Sequence, residues 1–402
     1  MTPGSRPSVA ASPSVLTRTT ISGAPPPDRL AYPRPHRVAG GLNGRPDAHP
    51  YLNVSASTAA DATAFAIGFD RRDRARLHAL WDEVLDSGRW TEGPLVERLE
   101  EAWSFHLGAP SPTVAFAGWS GAALAALEFA AVRGEPVLCP SNTFMATPLA
   151  ILAAGGRPVF VDCNRDDLCA SFADFERQAE RHRPRAAFVV HIGGHIAFEI
   201  ERIAAYCRNR GIFLIEDCAH AHGASWNGRR AGSWGDAGVY SLYATKTIST
   251  GEGGILTTAN PDLRDFAGAY RNYGKPDYQV HGLGYRMSEF TAALGLVQIE
   301  RLEEIVAWKN DVARRLVDPL FPSRLQLPEG MVSGHYKYLV FEPIRGSTGR
   351  VYDEPCHRIL GSDHQLPNSD WVAANHFCVP LYYRGPERPV DPEPWARLKV
   401  GR

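Results

Sequence analysis

The stretch GVYSLYATKTISTGEGGILTT, from Gly238 to Thr258, decides how the fold is interpreted. It contains two short apolar runs rich in β-forming residues, Gly238–Leu242 and Gly254–Thr257, with no helical pattern between them. A single lysine, Lys246, follows the first run and precedes a glycine-rich loop. The pattern predicts two neighbouring strands of a sheet, with a lysine just beyond the carboxyl end of the first strand.

Five further apolar runs precede this stretch, and helical patterns separate most of them. They are Val114–Ala117, Pro136–Cys139, Pro158–Val161, Ala187–Val190 and Ile212–Ile215. Several are continuously apolar, which is typical of strands that helices cover on both faces. The chain therefore predicts an α/β fold whose mostly parallel sheet has about seven strands flanked by helices. Because the last two runs lack an intervening helix, we expect a mixed sheet.

Composition along the chain predicts three regions. Residues 1–65 are rich in Pro, Ser, Ala, Arg and Gly and show no apolar periodicity, which predicts a disordered or loosely docked arm. We expect the large α/β domain over residues 66–310. A long helical pattern runs from Ser288 to about Leu316 across the end of this domain. Residues 311–402, with weaker strand patterns, predict a smaller C-terminal α+β domain.

Overall composition is typical of a soluble enzyme. The 402 residues are 44% hydrophobic and 22% charged, with a net charge of −1, which gives no indication of a nucleic-acid or membrane partner. The sequence has no run long enough to span a bilayer and no apolar secretory signal. The seven cysteines form no CxxC pair, so we expect neither a metal site nor a disulfide framework, and a cytoplasmic location.

Two residues fall where the strands of such a sheet end. Asp217 closes the run GIFLIED, and Lys246 follows the run GVYSLYATK. Ligands of open α/β sheets bind beyond these carboxyl ends. A lysine and a carboxylate together are what pyridoxal phosphate needs, one to form a Schiff base and one to hold the pyridine nitrogen protonated. Spacing alone leaves open a solvated loop lysine and a helix-capping aspartate.

A longer segment, EDCAHAHGASWNGRRAGSWGDAGVYSLYATKTISTGEGGILTT, resembles the core motif of the DegT/StrS-type sugar aminotransferases, which are fold-type I pyridoxal-phosphate enzymes. The likeness extends to SGRWTEGPLVERLEEAWSFHLGA, to EPVLCPSNTFMATPLAILAAGGRPVFVDC and to LGYRMSEFTAALGLVQIERLEEI. It covers roughly Leu77 to Leu316, with a looser match to Tyr383. Several motifs in the same order make the resemblance specific.

The resemblance implies a role for each matching residue. Lys246 would be the Schiff-base lysine and the base that moves the proton, and Asp217 would pair with the pyridine nitrogen. His220 would approach the phenolic oxygen of the cofactor, Phe144 would pack on the pyridine face, and Ser241 would bind the phosphate. For His220, Phe144 and Ser241, an ordinary structural role is the alternative.

Two positions depart from the family pattern. Ser120 and Gly121 stand where the family has Gly-Thr at the phosphate-binding turn, so backbone donors remain but the threonine hydroxyl does not. Gly284 stands where the family has an asparagine that reaches the cofactor phosphate of the neighbouring subunit, which puts that contact in doubt. Six residues of this later part of the chain are candidates for substrate contact: Arg286, His335, Tyr336, Lys337, Tyr352 and His357. The alternative is a structural role for Arg286 and a solvated strand face for residues 335–337.

The resemblance implies a transaminase. Glutamate or glutamine would convert the cofactor to pyridoxamine phosphate, and a keto sugar, usually nucleotide-linked, or a related cyclic ketone would take the amine, in amino-sugar or secondary-metabolite biosynthesis. The enzyme would be a homodimer with shared active sites.

Two alternatives remain open for the activity. The first is a pyridoxal-phosphate-dependent lyase, dehydratase or aromatising enzyme acting on a sugar-like or carbocyclic substrate. Dehydratases of the family replace the lysine by histidine, so Lys246 argues against that activity. The second is a non-catalytic regulatory relative, which the intact set of Asp217, His220 and Lys246 argues against.

Overall fold

The computed structural model describes residues 68–108, 112–383 and 393–399. The arm expected over residues 1–65 lies outside these ranges. The helices, in chain order, are α1 Arg71–Ser87, α2 Pro94–His106, α3 Trp119–Phe129, α4 Ala146–Ala153, α5 Phe172–His182, α6 Ile200–Arg210, α7 Pro261–Tyr270, α8 Glu289–Val312, α9 Cys356–Ile359, α10 Pro367–Asn375 and α11 Glu393–Ala396. The strands are β1 Thr113–Phe116, β2 Pro136–Pro140, β3 Arg157–Val161, β4 Ala186–Val190, β5 Phe213–Asp217, β6 Ser225–Trp226, β7 Arg229–Arg230, β8 Ala237–Ser241, β9 Gly254–Thr257, β10 Met331–Val332, β11 Tyr338–Val340 and β12 Phe377–Val379.

The central sheet has seven strands in the order β1-β9-β8-β5-β4-β2-β3. The pairs from β3 to β8 along this order are parallel, and β9 is antiparallel to both of its neighbours. All seven apolar runs of the sequence are therefore strands of one sheet. The prediction of a mostly parallel, mixed α/β sheet is confirmed.

Helices cover both faces of the sheet, because alternate residues of each strand face opposite sides. In β4, Ala187 and Val189 join an apolar cluster that includes side chains of α1, α2, α5, α6 and α8. Ala186 and Phe188 join a second cluster with side chains of α3, α4 and α7. This double burial explains why the strand runs are continuously apolar instead of alternating.

The long helix α8 begins where the sequence predicted. Ser288 is its N-cap, and the Ser288 hydroxyl accepts a hydrogen bond from the backbone N–H of Thr291 at 3.2 Å. Glu289, in the first turn, is 1% exposed, and its carboxylate accepts hydrogen bonds from the N–H groups of Gly93 at 3.0 Å and Leu95 at 2.7 Å. Both N–H groups lie at the N-terminus of α2, which has no side-chain cap of its own. One carboxylate therefore joins the starts of two helices.

The C-terminal part contains a β11–β12 antiparallel pair and an apolar cluster of its own, which includes Val317, Phe321, Val340 and Val379. The domain boundary near residue 310 stays a prediction. In the described parts of the chain, no helix is both long and apolar enough to cross a bilayer.

Candidate active site

The candidate site lies at the carboxyl ends of β5 and β8, which are parallel neighbours in the sheet. Asp217 is the last residue of β5 and Ser241 is the last residue of β8. The connection from β8 to β9 carries Lys246. Because the two strands run in the same direction, these residues lie at one edge of the sheet, where α/β folds bind ligands.

Asp217 is only 5% exposed, and its buried carboxylate accepts three hydrogen bonds. The indole Nε1 of Trp119 donates to Oδ1 at 3.2 Å, as does the backbone N–H of Ala219 at 3.0 Å. The Thr147 hydroxyl donates to Oδ2 at 3.3 Å. Burial raises the pKa of Asp217 above its ordinary value, and the Ala219 N–H and the positive charge of Lys246 oppose this. A carboxylate accepts about four hydrogen bonds, so Oδ2 can take one more donor.

Lys246 is partly buried, and its amino group contacts an aromatic ring. Its Nζ lies 4.7 Å from the ring centroid of Tyr336. Burial lowers the pKa of Lys246 below its ordinary value and the positive charge of Lys337 adds to this, whereas Tyr336 and Asp217 act in the opposite direction. A lower pKa increases the share of neutral amine, the form that acts as a base or a nucleophile.

His220 is buried and neutral. Burial, together with the charges of Lys246 and Lys337, lowers the pKa of His220 well below its ordinary value. The backbone N–H of Gly193 donates to Nδ1 at 3.4 Å, so the ring proton lies on Nε2. His220 therefore offers an N–H donor beside the lysine.

Three rings from distant parts of the chain are stacked at the site. The ring of His220 lies 4.2 Å from that of Tyr336 and 6.0 Å from that of Tyr352, with interplanar angles of 30° and 22°. Tyr352, a candidate for substrate contact, is thus brought to the predicted catalytic residues.

The first turn of α3 contains Ser120, which is exposed, and Gly121, which is buried. The N-cap residue Gly118 makes no side-chain cap, so the first N–H groups of the helix are available to an anion. Gly254 of β9 lies against this turn, since a Cβ atom there would stand 2.4 Å from the carbonyl carbon of Gly118.

Two further residues expected to bind the cofactor, Phe144 and Ser241, lie in the loop after β2 and at the end of β8. Phe144 is 65% exposed in the loop after β2, and its carbonyl accepts a hydrogen bond at 3.1 Å from Thr147, the residue that reaches Asp217. Ser241 is 7% exposed, and its hydroxyl accepts a hydrogen bond from the backbone N–H of Tyr243 at 3.3 Å.

Two histidines that are candidates for substrate contact have partners within the protein. His357 is fully buried, and its Nδ1 lies 2.6 Å from the Ser141 hydroxyl. His335 is 8% exposed and stacks on Tyr338 with ring centroids 5.7 Å apart. Both side chains pack within the protein, and the substrate contacts expected for them stay predictions.

Arg286 is also engaged by its neighbours. Its guanidinium donates to Asn272 Oδ1 at 2.8 Å and lies 5.2 Å from the ring centroid of Tyr273. A Cβ atom at Gly284 would lie 2.6 Å from the Tyr273 hydroxyl, so the space beside Gly284 is filled by tyrosine. This loop has no room for a larger residue at position 284 unless Tyr273 moves.

Trp119 and Thr147 were missed by sequence reasoning. Both lie in segments that the sequence singled out, one directly before Ser120 and the other within NTFMAT. Their contacts with Asp217 join residues 98 and 70 positions apart, which no local pattern reveals.

These residues fit pyridoxal phosphate. Oδ2 of Asp217 has capacity for one further donor such as a pyridine N–H, and a partly buried lysine stands on the neighbouring connection. The start of α3 offers backbone N–H groups suited to a phosphate, and the exposed ring of Phe144 is available for stacking.

Comparison with known proteins gives concordant matches. The model of the DegT/DnrJ/EryC1/StrS aminotransferase family matches residues 72–336. A dTDP-4-dehydro-2,3,6-trideoxy-D-glucose 4-aminotransferase from Saccharopolyspora spinosa is 33% identical over 344 residues, which cover 75% of this chain and 87% of the relative.

Two further proteins extend the comparison. A GDP-perosamine synthase from Escherichia coli O157:H7 is 30% identical over 239 residues, 58% of this chain, and the match spans only 65% of the relative's length. The crystal structure of a DegT DnrJ EryC1 StrS aminotransferase from Brucella abortus superposes with a TM-score of 0.72 at 26% identity, over 77% of this chain and 91% of the other.

Proposed function

Because the chain belongs to the DegT/DnrJ/EryC1/StrS aminotransferase family, we propose that it transfers an amino group from glutamate or glutamine to a keto sugar, using pyridoxal phosphate. Enzymes of this family depend on this cofactor. The observation that carries the proposal is the convergence of Lys246, Asp217 and His220 at the carboxyl ends of two parallel strands.

Different residues of the site would bind different parts of the cofactor. Asp217 would accept the N–H of the pyridine ring, Phe144 would pack on its face, and His220 would donate from Nε2 to its phenolic oxygen. The first turn of α3, with Ser120 and Gly121, and the hydroxyl of Ser241 would bind the phosphate.

Lys246 would form the covalent link and move the proton. When bound, the cofactor supplies an electron sink that stabilises negative charge on the carbon next to the reacting nitrogen. The burial that lowers the pKa of Lys246 keeps more of its released amine neutral, and a neutral amine can accept a proton at neutral pH. Tyr336 and then Asp217 act in the opposite direction and limit this lowering of the pKa of Lys246.

The acceptor is proposed to be a nucleotide-linked keto sugar. The names of the relatives support this class, since one is a dTDP-sugar 4-aminotransferase and another a GDP-perosamine synthase. Tyr352, whose ring stacks on that of His220 with centroids 6.0 Å apart, would line the acceptor site.

We further propose that the protein works as a homodimer with active sites shared between subunits, as the family resemblance implies. Light scattering would then give a mass of twice 44.0 kDa. If each active site contains residues from both subunits, two inactive variants can be chosen, one altered in a residue from one subunit and the other in a residue from its partner. Mixing these two variants would restore part of the activity.

The test uses glutamate and glutamine labelled with ¹⁵N and a panel of nucleotide-linked 4-keto and 3-keto sugars. Purified protein loaded with pyridoxal phosphate is expected to yield an amino sugar that carries the label. Lys246→Arg should abolish transfer, whereas Lys275→Arg, a change at an exposed lysine, should leave it intact. Consumption of the sugar without incorporation of label would instead indicate elimination chemistry and would overturn the proposal.

A further inference from the structure

The amino group of Lys246 contacts the aromatic ring of Tyr336. The Nζ atom of Lys246 lies 4.7 Å from the ring centroid of Tyr336, and that of Lys337 lies 5.2 Å from it. The Tyr336 hydroxyl lies 3.2 Å from Oγ1 of Thr245, so a hydrogen bond joins them. One tyrosine therefore contacts two consecutive residues of the connection that carries the lysine.

Lys246 needs a contact of this kind because it lies outside regular secondary structure. Its backbone N–H donates to the carbonyl of Tyr243 at 2.9 Å, which fixes the turn but not the side chain. A lysine side chain is a flexible four-carbon stem. Its amino group has a defined position only where the far end of the side chain is held.

The backbone around Tyr336 is fixed on both sides. The N–H of Gly334 donates to the carbonyl of Gly194, and the N–H of Lys337 donates to the carbonyl of Gly193, both at 2.8 Å. A Cβ atom at Gly194 would lie 2.7 Å from the Tyr336 nitrogen, so the two segments approach closely. The tyrosine is thus attached to the loop that follows β4.

The ring of Tyr336 is also fixed in orientation. It stacks on His220 at 4.2 Å, and His220 in turn receives a hydrogen bond from the Gly193 N–H. The ring therefore offers its π surface to the lysine without a prior rearrangement, and such preorganised contacts position reacting groups most effectively.

We propose that Tyr336 is a positioning residue for Lys246, whose ring holds the lysine ammonium whenever the lysine is not bonded to the cofactor, while its hydroxyl anchors Thr245. The inference rests on the proposed role of Lys246 as the cofactor lysine. An aromatic face attracts the ammonium more than the neutral amine. The lysine that has accepted a proton is therefore held near the reacting groups until it gives the proton up.

Four charged or titratable side chains besides Tyr336 interact electrostatically with this amino group: Lys337, Asp217, His220 and the buried His222. The positive charge of Lys337 opposes protonation of Lys246, Asp217 favours it, and the buried His220 is neutral. The two lysines also lower the pKa of Tyr336 below its ordinary value, although burial alone would raise it. Removal of the Tyr336 ring should therefore shift the titration of Lys246 in one direction, downward.

The test titrates each lysine of cofactor-free, full-length protein by competitive acetylation and mass spectrometry. Tyr336→Leu is expected to lower the pKa of Lys246 by about one unit, roughly a tenfold larger neutral fraction at pH 7. Tyr336→Phe, which keeps the ring but loses the hydroxyl and its charge, should lower the pKa of Lys246 less than Tyr336→Leu does. An equal fall in both variants would show that the phenol charge, not the ring, acts on Lys246, and would overturn the proposal. Lys275, which is exposed, should titrate alike in all three proteins. An unchanged or raised pKa of Lys246 in Tyr336→Leu would overturn the proposal.

A second measurement needs no change at position 336. Lysines of the unaltered cofactor-free protein are reductively methylated with ¹³C-formaldehyde, and the methyl signals are assigned with Lys246→Arg. The ring current of Tyr336 should move the Lys246 signal upfield of that of Lys275. A Lys246 signal at the position of a solvent-exposed lysine would contradict the ring contact. Neither measurement depends on amino transfer, so a failed transaminase assay would leave both interpretable.

Discussion

Asp217 combines near-complete burial with three hydrogen-bond donors. Trp119, Thr147 and the Ala219 N–H hold its two oxygens in place, and burial makes a charge at this position costly unless a cation faces it. A protonated pyridine nitrogen would supply that cation. The proposed chemistry therefore depends on the negative charge of Asp217 more than on the shape of its side chain.

Asp217→Asn is expected to lower the rate of amino transfer by on the order of 10²–10³-fold, since it keeps the shape but removes the charge that holds the ring nitrogen protonated. The measurement is the single-turnover rate constant of the half-reaction with glutamate, for protein saturated with pyridoxal phosphate. Asp265→Asn, at an exposed position of α7, serves as the matched control and should change nothing. A variant at position 217 with a rate within a few-fold of the unaltered protein would refute the role of this carboxylate.

At the residue scale, the sequence predicted the residues that local motifs mark and missed those that only the fold brings together. Asp217, His220 and Lys246 stand in one continuous motif, which made them recognisable. The contact between Tyr336 and Thr245 joins residues 91 positions apart. Such a contact depends on the packing of the C-terminal segment against the loop after β4, and no spacing in the sequence encodes it.

At the scale of elements, the proposed phosphate-binding turn at the start of α3 lies in close contact with β9. Gly254 has no side chain, and a Cβ atom there would lie 2.4 Å from the carbonyl carbon of Gly118 and 2.7 Å from the Trp119 nitrogen. Both are backbone atoms that cannot rotate away. The glycine therefore lets the strand and the helix N-terminus approach closely.

Gly254→Ala is expected to destabilise the protein by about 1–3 kcal/mol, because the added methyl group must push the two backbones apart. The measurement is the free energy of unfolding in urea, accompanied by the affinity for pyridoxal phosphate, which should fall as the first turn of α3 moves. Gly268→Ala in α7 is the matched control, since a Cβ atom there meets nothing within 4 Å. That control should gain roughly 0.5–1 kcal/mol. Equal changes in the free energy of unfolding for the two substitutions would contradict the claim that the close approach at Gly254 excludes a larger residue.

At the scale of elements, the apolar runs predicted the seven strands with shifts of only one or two residues at their ends. Burial on both faces requires continuous apolar sequence, and that is a strong local signal. The two-residue strands β6, β7 and β10 were not predicted. They depend on pairing across a separate three-stranded sheet, and two residues carry no periodicity.

At the scale of the whole molecule, buried histidines link folding to pH. His222 is 0% exposed, with the rings of Trp103 and Tyr240 at centroid distances of 6.1 and 5.7 Å. Burial, followed by the positive charge of Lys246, lowers the pKa of His222 to about 3. The unfolded chain has an ordinary histidine pKa near 6.5, so between pH 6.5 and about 3 it binds a proton at His222 that the folded protein does not bind. The contribution of the neutral His222 to the free energy of unfolding is therefore fully present above pH 6.5 and is lost as the pH falls.

The expected contribution of His222 is a loss of about 2 kcal/mol in the free energy of unfolding between pH 7 and pH 5. His222→Gln, which cannot titrate, should lower that pH-dependent loss by this amount, whatever its effect on stability at pH 7. The measurement is urea unfolding of both proteins at the two pH values. The same loss in the variant as in the unaltered protein would contradict a neutral His222 in the folded state.

The measurement that tests the central claim most directly is chemical trapping of the cofactor. Protein saturated with pyridoxal phosphate is reduced with sodium borohydride, digested and mapped by mass spectrometry. The account predicts one stable phosphopyridoxyl adduct, on the peptide that contains Lys246, and none in Lys246→Arg. An adduct on any of the other lysines, or no adduct in saturated protein, would contradict it.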